Sequence, residues 1–383
     1  MRFPVVSGMP RREWRLGVVI AAACVLAACS NDESGPIDPP QECPDATPLA
    51  LPLPGYFPEM PNPAANPLTI EGVALGRRLF YDPILSADSS LSCGGCHTQS
   101  LAFGDFRQFS EGVNGDKSRR QAPTIVNPGW NVHGVFWDGR AADLETQATQ
   151  PVPEPTEMNI PWPDAVARLS AHAEYPDLFC AAFGTSKITM ERVVNAIAQF
   201  ERTFVSANSK YDRWKRGEES FTPMEQRGYI FFLIEGKGDC FHCHVEPLFA
   251  EPQFATQSFH NTGLDSVVVD GGRGEISGDP ADLGKFKSPS LRNVMESPPY
   301  MHDGRFFTIR DVLNHYNHGF HDGPNVDPLI RKRLLRPAMT SAELDTLEAF
   351  LETLTDWDFL TNPDLSDPFA TTAPVAKSKP SGR

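Results

Sequence analysis

The sequence predicts a mainly α-helical protein that is built as two tandem modules with many loops. A motif of two cysteines and a histidine occurs twice, at 93–97 and at 240–244. Each copy follows a segment with apolar residues at helical spacing, and no stretch shows the sustained alternation that is typical of strands. Proline accounts for 36 of 383 residues, near twice its usual share of about 5%, which indicates much loop.

The predicted helices are marked by their capping residues. Thr69 can cap a helix that runs through Phe80, ahead of the first motif. Apolar residues at helical spacing predict a second helix over 189–205. Thr222 and Thr340 each begin a capping box, and the helix that follows Thr222 leads to the second motif.

Both repeated motifs have the pattern Cys-x-x-Cys-His, which is the attachment site of a c-type haem. Two thiols at this spacing reach the two vinyl groups of one porphyrin, and the histidine offers a ring nitrogen to the iron. Four cysteines could instead bind zinc, but that arrangement leaves both histidines unexplained. The sequence therefore predicts two covalent haem c groups, one in each of two cytochrome-c-like domains. The attachment residues are Cys93, Cys96, His97, Cys240, Cys243 and His244.

The first 28 residues have the pattern of an export signal. A cationic start precedes an uncharged apolar run over 16–28, which is too short to span a bilayer. The run ends in Leu26-Ala27-Ala28-Cys29, which resembles a bacterial lipoprotein cleavage site and predicts lipidation of Cys29. Ordinary cleavage after Ala28 is the alternative. We expect a protein on the periplasmic side of a bacterial membrane, held by a lipid anchor or otherwise soluble there.

Composition predicts the remaining boundaries. Residues 29–66 are rich in proline and predict an extended linker. Residues 67–205 form the predicted N-terminal haem domain, 206–362 the C-terminal haem domain, and 363–383 a polar, disordered tail. Two further cysteines, Cys43 and Cys180, either pair with each other or both remain free thiols.

Motifs between and after the haem sites resemble those of one family. They are Phe136-Trp137-Asp138-Gly139-Arg140 and Pro299-Tyr300-Met301-His302-Asp303-Gly304. With the haem motifs, they make the chain similar to the bacterial di-haem cytochrome c peroxidases and their MauG-like relatives, which mature methylamine dehydrogenase. The resemblance covers about 69–356. It implies that the first haem is the peroxidatic one and that the second takes electrons from a donor.

The same resemblance implies roles for four residues. Trp137 matches the tryptophan between the two haems, and Glu157 matches the catalytic glutamate. Such a carboxylate takes a proton from one peroxide oxygen and delivers it to the other, and an apolar haem pocket raises its pKa for this task. Gln147 and Arg140 match polar residues near that pocket.

Two departures from the classical pattern concern ligands. Val113 stands where classical peroxidases have a histidine that leaves the first haem before peroxide binds, so no reductive activation is expected. His133 is the nearest other candidate ligand. Gln121, Ser297 and Pro299 fall at the positions of the family's calcium ligands, so we expect calcium, although glutamine replaces an asparagine.

Tyr316 is the expected distal ligand of the second haem. A helix that begins after Thr308 and ends at Gly319 places Tyr316 on one apolar face with Ile309, Val312 and Leu313. His315 lies about 100° around this helix and is expected on the wetter side. The resemblance implies the same choice, because classical peroxidases have methionine at this position and MauG-like enzymes have tyrosine.

The expected function is reduction of hydrogen peroxide to water with electrons from a small cytochrome c or cupredoxin. The alternatives are a MauG-like enzyme that oxidises residues of a partner protein, and a plain di-haem electron carrier. The net charge of −15 argues against nucleic acid and would suit a basic donor. We expect His260 and His302 to be structural or propionate contacts rather than iron ligands, and contact with the membrane only through the lipid anchor.

Overall fold

The structure is a computed structural model that describes residues 42–370 except 235, 252 and 255–257. The predicted signal peptide, Cys29 and residues 371–383 lie outside the described residues. The described part is mainly helical, as predicted. Its helices are α1 Ile70–Tyr81, α2 Cys93–Cys96, α3 Leu144–Ala148, α4 Trp162–Ser170, α5 Tyr175–Phe183, α6 Met190–Arg202, α7 Lys210–Lys215, α8 Pro223–Leu233, α9 Gly274–Ser277, α10 Ile309–Asn314, α11 Pro328–Arg331, α12 Ser341–Glu352 and α13 Trp357–Leu360. Strands β1 Phe259–His260 and β2 Phe286–Lys287 pair antiparallel.

The first half of the chain is organised around the crossing of α1 and α6. The Thr69 side chain accepts a hydrogen bond from the Gly72 amide, which fixes the start of α1 as predicted. A Cβ at Gly76 would lie 1.9 Å from the Ala196 carbonyl oxygen, so only glycine allows this close approach. Leucine and phenylalanine side chains from both helices form the core beside it.

The second half repeats this arrangement with α8 and α12. Both helices begin with the predicted capping boxes, at Thr222 and Thr340. A Cβ at Gly228 would lie 1.8 Å from the Thr346 carbonyl oxygen and 2.8 Å from the Phe350 Cβ. In each half, a helix ahead of the cysteine motif thus crosses a later helix at a glycine.

The proline-rich segment packs against the helical body from residue 42 onwards. Cys43 forms a disulfide with Cys180 on α5, which settles the alternative that the sequence left open. Phe57 and Met60 are buried in a cluster with Trp130. Prolines prevent helices here, but the side chains between them find apolar partners, so 42–66 do not form the predicted extended linker.

The end of the chain returns to the first half. Phe359 and Leu365 are buried in the same core as α1 and α6. The Tyr81 hydroxyl donates a hydrogen bond to the Leu365 carbonyl at 2.7 Å, and Arg77 Nε donates to the Ser366 carbonyl at 2.8 Å. The disorder predicted from residue 363 is therefore wrong as far as residue 370. No helix within the described ranges is long and apolar enough to cross a membrane.

Candidate active site

Each half of the protein encloses a cavity lined by one cysteine motif. The motif residues form a tight turn in both cases: the His97 amide donates to the Cys93 carbonyl at 2.9 Å, and the His244 amide donates to the Cys240 carbonyl at 3.0 Å. Among the described residues, no three His, Cys, Asp or Glu residues form a cluster that could hold a metal ion. The first cavity is lined by Cys93, Cys96 and His97, and the second by Cys240, Cys243 and His244.

The two motif histidines are oriented by backbone carbonyls. His97 Nδ1 lies 2.7 Å from the Phe103 carbonyl oxygen, and His244 Nδ1 lies 3.0 Å from the Pro289 carbonyl oxygen. A carbonyl only accepts, so Nδ1 carries the proton in both rings and Nε2 keeps a free lone pair. Burial lowers the pKa of both imidazoles, that of His244 to about 4, and favours the neutral, metal-binding form.

These features fit two covalent haems. Each cavity contains a thiol pair and a neutral imidazole whose Nε2 is available to iron. The second cavity also contains a buried cation that lacks a full set of partners, because Arg333 Nη1 has no hydrogen-bond partner within the described part of the chain. A buried, unpaired guanidinium nitrogen is costly, and an anionic group in the cavity would offset that cost.

Trp137 lies in the walls of both cavities. Its indole Nε1–H donates a hydrogen bond to the Gln121 carbonyl at 2.9 Å, and its own carbonyl accepts from the Lys287 amide at 2.8 Å. Contacts on both sides hold the ring in one orientation. Its role between two haems stays a prediction.

Glu157 lines the first cavity, as do Gln147 and Arg140. Burial raises the pKa of Glu157, the charge of Glu154 adds to this, and Arg140 opposes it. The Glu157 carbonyl accepts a hydrogen bond from the Val113 amide at 2.9 Å, so two loops hold its backbone in place. A carboxyl group poised to gain and lose a proton thus faces the first cavity.

Neither of the two sequence positions considered for a second ligand reaches the first cavity. Val113 and His133 are both absent from the described residues that line it, and His97 is the only histidine among them. The described part of the chain therefore offers no imidazole opposite His97.

The three residues expected to bind calcium come together in the wall of the second cavity. Gln121, Ser297 and Pro299 all line it. The Gln121 amide nitrogen Nε2 donates to the Asp105 carbonyl at 3.3 Å. Calcium binding by these three residues stays a prediction.

The relatives of this chain are proteins of one family. A model of the di-haem cytochrome c peroxidase family matches residues 70–220. The chain is 36% identical to methylamine utilization protein MauG of Methylorubrum extorquens over 341 residues. This alignment covers 88% of this chain and 92% of that protein. The chain belongs to the di-haem cytochrome c peroxidase family.

Two further comparisons agree with this membership. The chain is 32% identical to cytochrome c551 peroxidase of Nitrosomonas europaea, over 78% of this chain and 84% of that protein. The crystal structure of a MauG-like protein associated with microbial copper homeostasis matches with a TM-score of 0.76 at 36% identity, over 84% of this chain and 100% of that chain. The protein is thus an oxidoreductase of the peroxidase type.

In this di-haem peroxidase, the predicted apolar helix face lines the second cavity. All four of its residues do so: Ile309, Val312, Leu313 and Tyr316. The expectation for His315 is wrong. His315 is buried, and its Nε2–H donates to the Thr262 carbonyl at 2.9 Å. The backbone stays helical at His315 and is non-helical only at His318. His315 is buried because the chain at Thr262 covers that side of the helix, which periodicity within the helix does not show.

The two other histidines of this peroxidase that were singled out in the sequence line the second cavity. His302 stacks on Phe286 with ring centroids 3.7 Å apart. His260 Nδ1 lies 2.7 Å from an Asp327 oxygen, and its Nε2 lies 3.1 Å from a Glu251 oxygen. That neither ring is an iron ligand stays a prediction.

Sequence reasoning missed two charged residues of this peroxidase that line the cavities. Glu201 on α6 lines the first cavity, and burial raises its pKa to about 8. Lys287 lines the second cavity, and burial lowers its pKa to about 8. Glu201 could have been found, because it lies four residues after Ile197 and eight after Val193, on the apolar face of the helix. Nothing in the local sequence marks Lys287.

Proposed function

We propose that this protein reduces hydrogen peroxide at the first cavity with electrons that enter through the second. The observation that carries the proposal is the position of Trp137 in the walls of both cavities, with Glu157 facing only the first. Bound haem c would supply the iron that receives peroxide and the electrons that reduce it. Cys93, Cys96 and His97 would hold one haem, and the matching residues of the second motif would hold the other.

Glu157 would move the proton within the peroxide. Reduction of hydrogen peroxide to two waters consumes two electrons and two protons, and one oxygen must leave as water. The Glu157 carboxylate takes the proton of the near oxygen and returns it to the far one, which its raised pKa favours. The Arg140 guanidinium carbon lies 3.5 Å from the centre of the Phe136 ring, and Arg140 pairs with Asp138, so its charge stays fixed beside the cavity. Gln147 also lines this cavity and can form a hydrogen bond with peroxide.

The first cavity would accept peroxide in the fully oxidised protein. No imidazole lies opposite His97 among the described residues, so no ligand has to leave first. This differs from a peroxidase that needs reductive activation. Calcium bound by Gln121, Ser297 and Pro299 would stabilise the wall that carries Trp137, because Trp137 is hydrogen-bonded to Gln121.

Tyr316 would be the distal ligand of the second haem. It lies in the second cavity with the attachment cysteines, and burial raises the pKa of its phenol. Its ionised form therefore needs a nearby cation, which iron would provide. A phenolate stabilises oxidised iron. This favours a second function, the MauG-like oxidation of residues in a partner protein, over a plain electron carrier.

Substitution of Glu157 by Gln tests the peroxidase proposal. We expect peroxide turnover with a small reductant to fall by about 10²- to 10⁴-fold, because proton transfer is lost. The absorption spectrum of both haems should stay unchanged. Glu191→Gln, an exposed acid at the start of α6, is the matched control. Turnover within twofold of the wild type would overturn the role of Glu157.

Substitution of Tyr316 by Phe tests the ligand assignment. The spectrum of the second haem should change while that of the first does not. An unchanged spectrum would refute the assignment.

We also propose that the protein is anchored on the periplasmic side of the membrane by lipid on Cys29. Cys29→Ser should release it from the membrane fraction, and unchanged fractionation would contradict lipidation.

A further inference from the structure

A surface segment beside the second cavity combines exposed leucines with positive charge. Residues 328–336 form α11 and the 3₁₀ turn Lys332–Leu335 that follows it. Leu329 and Arg333 line the second cavity, whereas Leu335 is 85% exposed and Leu334 is 48% exposed. The same short segment therefore contacts the second haem site on one side and solvent on the other.

The charge of this segment is opposite to that of the chain. It carries four cations and no carboxylate, while the whole chain has a net charge of −15. Arg331 pairs with the exposed Asp322 at 2.6 Å, and Arg336 pairs with the buried Asp239 at 3.1 Å. Lys332 is exposed and forms no ion pair with any residue that the structure describes. Lys332 is therefore the exposed positive charge of this segment that no carboxylate in the described part of the chain neutralises.

The segment is also tied closely to the haem attachment residues. Asp239, the partner of Arg336, directly precedes Cys240 in the sequence. Asn317, next to Tyr316, accepts a hydrogen bond from the Met339 amide at 2.8 Å and donates one to the Met339 carbonyl at 3.0 Å. Arg333 of the segment also lies 3.5 Å from the Asn317 side-chain oxygen. The segment is therefore bonded to residues beside Cys240 and beside Tyr316.

We propose that residues 331–336 dock a small redox protein through an acidic face, and that this partner delivers electrons to the second haem. The proposal rests on the function proposed above. Exposed leucines within a charged rim have the composition of a transient interface, with an apolar centre and a polar edge. The net charge suggested a basic donor, but steering also depends on the charges close to the entry point, where exposed Lys332 has no carboxylate partner among the described residues.

Stopped-flow reduction of the oxidised holoprotein tests this surface. The probes are two reduced, low-potential donors of opposite charge, acidic plant-type ferredoxin and the cationic methyl viologen radical, each at low ionic strength, because a phenolate-ligated haem needs a low-potential reductant. We expect Lys332→Glu to slow reduction of the second haem by ferredoxin by about tenfold and not to slow reduction by the viologen. Added salt at about 0.5 M should remove most of the difference. Lys187→Glu, an exposed lysine before α6, is the matched control and should behave like the wild type.

A small uncharged quinol of low reduction potential provides the second control. It should reduce wild type and Lys332→Glu at the same rate, which shows that the variant keeps an intact second haem. An unchanged ferredoxin rate in Lys332→Glu, or an equal slowing with the viologen, would overturn the docking surface. Peroxide turnover with the quinol as donor needs no docking. A failure of the proposed function would appear there, separately from a failure of this inference.

Discussion

Arg292 and Asp212 form a fully buried ion pair beside the second cavity, and its removal gives a quantitative prediction. Both side chains have 0% exposure. Arg292 Nη1 lies 2.7 Å from one Asp212 oxygen and Nη2 lies 2.8 Å from the other, so the pair is bidentate. Tyr56, from the proline-rich segment, also donates to this carboxylate at 2.9 Å, and Ser209 donates to it from its amide at 2.8 Å and from its hydroxyl at 2.7 Å.

We expect Arg292→Met to lower the free energy of unfolding by about 3–5 kcal/mol at pH 7, because it leaves a buried carboxylate without its counter-charge. In the wild type, burial would raise the pKa of Asp212, but the hydrogen bonds and charge of Arg292 outweigh burial and lower it. A lowered folded-state pKa contributes stability above the unfolded-state value, and this stability is lost as the pH falls. Protonated Asp212 is cheaper to bury, so the gap between variant and wild type should narrow toward pH 4.

Guanidinium unfolding of the holoprotein, followed by far-UV circular dichroism at pH 7 and at pH 4, measures both effects. Arg227→Met is the matched control, because Arg227 is exposed and lies over the Phe231 ring. It should change the free energy of unfolding by no more than about 0.5 kcal/mol. A loss below about 1 kcal/mol for Arg292→Met at pH 7, or an equal loss at both pH values, would refute the reasoning.

Two further predictions use the same unfolding assay. Gly228→Ala should cost about 1–3 kcal/mol, because the new methyl group meets the Thr346 carbonyl at 1.8 Å, whereas Gly55→Ala meets no atom within 4 Å and should have little effect. If the guanidinium midpoint of Gly228→Ala equals that of the wild type, α8 and α12 can move apart without loss of stability, and the prediction is wrong. Glu201 keeps its proton in the folded state up to about pH 8, so the wild type should lose stability as the pH rises from 5.5 to 7.5, by up to about 1.4 kcal/mol per unit. Glu201→Gln should flatten this dependence, and a slope equal to that of the wild type would contradict the assignment.

The elements that the sequence predicted are those specified by local chemistry. The caps at Thr69, Thr222 and Thr340 are hydrogen bonds within four residues, so they can be read from a short window. The packing of 42–66 and of 357–366 depends on partners far away in the chain. The burial of His315 likewise depends on a distant partner, the Thr262 carbonyl, and not on a signal in the helix itself.

The candidate site could be predicted where a motif carried it. The haem attachment residues follow from spacing, and the positions of Trp137 and Glu157 followed from a family resemblance. Lys287 and Arg333 carry charges into the second cavity, and a sequence does not reveal which charged residues are buried. The positions of Lys287 and Arg333 in the cavity wall depend on the packing of the folded chain.

The return of the chain end to the first half has a consequence for assembly. Gln99, two residues after His97, donates hydrogen bonds to the carbonyls of Phe359 and Asn362, which lie 260 and 263 residues later. Synthesis from the N-terminus produces Cys93 and Cys96 long before these partners exist. The N-terminal half therefore cannot complete its packing until the last part of the chain has been made. A chain that ended near 356 would lack these contacts of the N-terminal half.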